Sequence, residues 1–119
     1  MVESHRDALR SLLERVTVDL GPSTAIECKH FFSGAAAYAN GRIFMTLTTV
    51  GLALKLPEES RAALIERGAG PLRYFPRGPI KKDYVVIPRR LAEDPVALAP
   101  WINASIRFSL GVTSRRKKR

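Results

Sequence analysis

The 119-residue sequence predicts an α+β domain: an antiparallel sheet of about five strands with three helices, in the order α-β-β-β-α-β-β-α. Three observations carry that prediction. Apolar residues recur at helical spacing in three separated segments. Between them, residues 26–56 alternate apolar and polar with period two. An Asn40-Gly41 pair then sits between two of the alternating stretches, which is the strongest short-range hairpin signal because both turn residues tolerate positive φ.

Taken in order, Ser4 followed by Asp7 resembles a capping box, with aspartate in place of glutamate. Leu9, Leu12, Leu13, Val16 and Leu20 then trace a helical stripe, with Thr17 and Val18 weakening its end. The first helix is expected over about residues 5–18. Ile26 to Phe32 reads as a strand with Ile26, Cys28, His30 and Phe32 on one face and Glu27, Lys29 and Phe31 on the other. IFMTLTT and LALKL follow as strands, joined by a turn at Val50-Gly51, so residues 26–56 form a meander of three or four strands. Pro57, Glu58 and Glu59 suit a helix's positive end, and PEESRAALIER is the second helix, closing at Gly68 or Gly70. RYFP and KKDYVVI are expected to pair around a loop holding Pro76, Gly78 and Pro79. Asp94 and Pro95 start the last helix, with Leu98, Trp101, Ile102, Ser105, Ile106 and Leu110 as its buried stripe. Pro100 removes one backbone bond there, so a kink or a restart is expected.

Composition bounds the function. No apolar run approaches the ~18 residues that span a bilayer, and the start MVESHRDALR has no apolar core of a secretory signal. One cysteine cannot form an intramolecular disulfide, which suits a reducing compartment; a soluble cytoplasmic protein is expected. The net charge is +9, but Arg115, Arg116, Lys117, Lys118 and Arg119 supply five of those charges and leave +4 for the body. Residues 1–113 therefore read as one domain and residues 114–119 as a basic tail with nothing apolar to bury, expected to be disordered.

The stretch HFFSGAAAYANGRIF, residues 30–44, poses the functional question. Its small side chains mark either a ligand-contacting turn with Ser33 as nucleophile or a strand that lets backbone pack close. No G-x-S-x-G pattern is present and no base is in view, so a strand with a bulge at Gly34 is expected. Cys28 and His30 are two potential metal ligands on one strand, short of the four a structural zinc requires. Cys28 reads instead as a small hydrophobe. No catalytic set, metal or cofactor is predicted. Cations beside aromatic rings at Arg73, Tyr74, Phe75, Arg77, Lys81, Lys82 and Tyr84 make the best candidate binding surface, suited to phosphates and stacked bases. The tail cations Arg115, Arg116, Lys117, Lys118 and Arg119 are a second candidate for nucleic acid, and an exposed sheet edge is a candidate for homodimerisation.

FFSGAAAYANGRIF, LALKLPEESRAALIERGAGPLRYFP, KKDYVVIP and EDPVALAPWINASI follow one another in an order that resembles the N-terminal domain of TfoX-type competence regulators, over about residues 24–111. Ser33, Ala35 to Ala37, Phe31 and Asn40 depart from the family's Met-Phe-Gly-Gly-x-Gly-x-Tyr-x-Asp-Gly pattern. The resemblance implies an α+β module without a catalytic residue set, acting through an unidentified protein partner in regulation. Longer family members carry a second domain reminiscent of helix-hairpin-helix DNA-binding modules, and no counterpart of that segment is expected here.

Overall fold

The computed structural model describes residues 4–15, 25–31, 34–73 and 78–111. It confirms the α+β class. Among these residues the chain forms six antiparallel strands and four helices in the order α-β-β-β-β-α-β-β-α-α. The helices are α1 (His5–Arg15), α2 (Glu58–Ile65), α3 (Arg89–Ala92) and α4 (Pro95–Ser109). The strands are β1 (Ile26–Phe31), β2 (Gly34–Ala39), β3 (Arg42–Thr48), β4 (Gly51–Lys55), β5 (Gly70–Pro71) and β6 (Tyr84–Val86). The sheet order is β1-β2-β3-β4-β6-β5, which leaves β1 and β5 as its edges.

Alternation dictates two rows of side chains across the sheet. Cys28, Ala37, Met45, Leu54 and Val85 stand opposite one another in register. With Leu9 and Leu12 of α1, Leu64 of α2, and Leu98, Ile102 and Ile106 of α4 they form one apolar cluster. The second row, Lys29, Ala36, Thr46, Ala53 and Val86, lies on the opposite face. Its central members, Ala36, Thr46 and Ala53, are fully buried.

Several local expectations hold for stated reasons. Ser4 Oγ accepts a hydrogen bond from Asp7 N–H at 3.0 Å, capping α1. Asn40 and Gly41 have φ of 49° and 81°, the paired positive values of a two-residue hairpin. Gly68 takes φ of 106°, and its N–H and that of Ala69 donate to Ile65 O and Leu64 O, the two bonds of a Schellman ending. Asp94 Oδ1 accepts from Ala97 N–H at 3.2 Å.

Other expectations are corrected. The small-residue run is a strand of its own, which with two-residue β5 makes six strands rather than about five. The bulge lies not at Gly34 but on β3: the register passes from Ala37↔Met45 to Tyr38↔Ile43, so Phe44 is the extra residue. That step allows consecutive Phe44 and Met45 both to join the apolar cluster. Pro57 is the residue before α2 rather than its first. The strand within KKDYVVI is Tyr84–Val86, and besides β4 it pairs with Gly70–Pro71, upstream of RYFP; residues 74–77 lie outside the described residues. Helix α3, four residues after Pro88, has no counterpart in the expected order. α4 runs unbroken through Pro100. Val96, whose carbonyl loses the bond, is 84% exposed, so water can replace it. Val16, Thr17, Val18, Leu20, Phe32, Ser33 and the tail also lie outside the described residues.

Candidate functional site

The small-residue run, Gly34–Ala39, resolves into close packing. Ala35, Ala36, Ala37 and Ala39 are fully buried. A Cβ placed on Gly34 would stand 2.1 Å from Leu47 O and 2.8 Å from Thr48 Cα, so hydrogen is the one side chain that lets β2 lie against β3 there. No residue of β2 lines either of the two grooves described next.

The first groove, about 560 Å³, runs between α1 and edge strand β1 and is lined by Arg10, Leu13, Glu14, Ile26, Glu27, Cys28, Lys29 and Ile106. Cys28 is half-buried and packs against the core. Burial pushes its thiol above the ordinary value of 9.0, opposed by the positive charges of Arg10 and Arg6. At neutral pH the sulfur is therefore protonated, a poor nucleophile and a poor metal ligand. His30, two positions on, is exposed. The described residues contain no group of three or more His, Cys, Asp or Glu side chains placed to hold a metal ion.

The second groove, about 610 Å³, is lined by Arg67, Pro88, Arg90, Leu91, Asp94 and Ala97. The Arg67 guanidinium stands 5.7 Å from the centre of the Trp101 ring, within cation–π range. Sequence reasoning missed this groove because it depends on α3, whose single turn carries no periodic signal.

Of the cations in the predicted basic cluster, Arg73, Lys81 and Lys82 are among the described residues. Lys81 N–H donates to Leu72 O at 2.9 Å, which draws the backbone before Arg73 beside that of Lys81 and Lys82. Arg73, Lys81 and Lys82 are exposed, and Tyr84 is half-buried on β6. Arg61, which sequence reasoning did not single out, holds the loop in place: its Nε donates to Leu56 O and its Nη1 to Lys82 O, both at 2.9 Å. Tyr74, Phe75, Arg77 and the tail cations Arg115, Arg116, Lys117, Lys118 and Arg119 lie outside the described residues. The edge strand β1 carries a different pattern. Lys29 Nζ stands 3.7 Å from Glu27 Oε1 and 5.4 Å from the Tyr38 ring centre, on the face away from the helices.

Ser105 and Ser109 also matter to the site's frame. Ser105 Oγ lies 2.7 Å from Phe44 O and 2.8 Å from Lys55 O, and Ser109 Oγ donates to Ile43 O at 2.9 Å. The carbonyls beside the bulge accept from hydroxyls on α4. A serine so engaged is structural.

No helix among the described residues is long and apolar enough to cross a membrane. The family model of the TfoX N-terminal domain matches residues 19–109. No curated protein matches the chain.

Proposed function

The chain belongs to the TfoX N-terminal domain family, and from that premise we propose that it is a non-enzymatic, cytoplasmic module acting through protein–protein contacts in transcriptional or competence-type regulation. The observation that carries this reading is the reach of the match, which takes in the whole sheet and α4 rather than one motif. The chemistry of the described residues supports it. Cys28 is held as a neutral thiol by burial, and the hydroxyls of Ser105 and Ser109 are bound to main-chain carbonyls. The test is affinity capture by the full chain from native lysate, with and without nuclease. A specific protein retained after nuclease supports the reading; recovery of nucleic acid alone, with every protein lost on digestion, overturns it.

A second reading is favoured by one observation, the convergence of Arg73 with Lys81 and Lys82 on an exposed loop that Arg61 braces. In that reading the module binds nucleic acid, with Arg77 and the tail cations Arg115, Arg116, Lys117, Lys118 and Arg119 adding charge.

A further inference from the structure

β1 ends the sheet, and its backbone orientation follows from Ala25. Ala25 O accepts from Asn40 N–H at 2.9 Å and Ala25 N–H donates to Asn40 Oδ1 at 2.8 Å, so both groups of Ala25 point toward β2 and its turn. Alternation then turns Glu27, Lys29 and Phe31 toward β2, and turns the N–H and C=O groups of Ile26, Cys28 and His30 outward. Among the described residues nothing pairs with those outward groups. The other edge, β5, has two residues, one of them a proline, and cannot template a strand.

We propose that a second copy of this chain pairs with β1 antiparallel about a two-fold axis through Cys28, joining the two sheets. Charge selects the copy and the register. In an edge-to-edge pair the outward residues 26, 28 and 30 must oppose one another, which allows the axis to pass near Glu27, Cys28 or Lys29. An axis at Glu27 sets two carboxylates face to face, and an axis at Lys29 sets two ammonium groups face to face. Both registers are repelled. The axis at Cys28 sets Glu27 opposite the partner's Lys29 and Lys29 opposite the partner's Glu27. These are pairs without mutual backbone bonds, the class whose side chains stand closest. The existing contact between Glu27 and Lys29 within one chain joins two side chains each 61% exposed, so it is weak and yields readily to the partner. On the helical face the half-buried, apolar floor of the groove at Leu13, Ile26 and Cys28 becomes continuous across the axis. The inference stands apart from the regulatory reading, and either survives the loss of the other.

Sedimentation equilibrium of the nuclease-treated full chain tests it. The unaltered chain is expected to self-associate to a dimer. Glu27→Lys and Lys29→Glu each turn both cross-strand pairs repulsive, weakening association on the order of tenfold to a hundredfold. An equimolar mixture of the two variants restores a dimer, because the two lysines that the first variant carries on β1 then face the two glutamates of the second. The doubly exchanged chain, E27K/K29E, recovers self-association and shows that neither single change acts by unfolding. A strictly monomeric unaltered chain, a dimer indifferent to both single changes, or a mixture that stays monomeric overturns the proposal.

Discussion

At Gly34 the difference between hydrogen and methyl decides whether β2 can lie against β3. The atom a Cβ would strike is main chain, Leu47 O, so no side chain can move aside. Gly34→Ala is expected to lower stability by at least about 1–3 kcal/mol, as overpacking does, in urea denaturation. Gly41→Ala, with nothing within 4 Å, is expected to carry only the left-handed backbone cost of about 1–2 kcal/mol. A smaller loss at Gly34 than at Gly41 would sink the close-approach account. Ser105 and Thr46 form a second contrast. Removing the Ser105 hydroxyl leaves Phe44 O and Lys55 O without their shared donor, so Ser105→Ala is expected to cost about 1–3 kcal/mol. Thr46 Oγ1 is buried with no partner among the described residues, so Thr46→Val keeps the shape and is expected to be neutral or stabilising. A third expectation concerns pH. Because burial raises the Cys28 thiol in the folded state, its neutral form stabilises the fold fully below the ordinary value of 9.0. That contribution is lost as the pH rises through the higher folded value. Cys28→Ala is expected to flatten the alkaline fall in stability, and the native thiol should react with a disulfide reagent more slowly than the unfolded one. Equal rates would contradict the burial.

Among the elements, α4 is the one whose behaviour the sequence pattern left open. Its interior proline sits on the exposed side in the second turn, near a capped start. The helix is held by what its other face touches: Leu98, Ile102 and Ile106 against the sheet, and the two serine hydroxyls against the bulge. Packing on this scale outweighs one missing bond. Pro100→Ala is therefore expected to stabilise the protein, by up to about 3 kcal/mol, with a higher thermal midpoint and little change in helical circular dichroism. A gain in helix content comparable to a whole turn would show instead that α4 is broken there in solution.

For the molecule as a whole, charge distribution decides between the two functional readings. Five of the nine net positive charges sit in residues 115–119, and the body retains +4. If the tail governs nucleic-acid binding, five released counterions give roughly a 500-fold loss of affinity between 50 and 200 mM salt. Deleting residues 114–119 is then expected to flatten that dependence, while neutralising Arg73, Lys81 and Lys82 tests the braced loop separately. Filter binding with a mixed-sequence duplex measures both. Full affinity after deletion excludes the tail as the contact.

Local chemistry was legible before any fold existed. The Asn40-Gly41 turn, the Ser4 and Asp94 caps, the Gly68 ending and the alternation of β1 each depend on residues within a few positions of one another, so the chain's own order determined them. So did the family, whose aromatic, glycine and proline positions are read in sequence. The bulge at Phe44, the clasp of Ser105 on Phe44 O and Lys55 O, the second groove and the long edge left open among the described residues were decided only by tertiary structure. Each arises where segments tens of residues apart meet, and a one-dimensional pattern carries no record of which backbone groups such a meeting leaves unpaired.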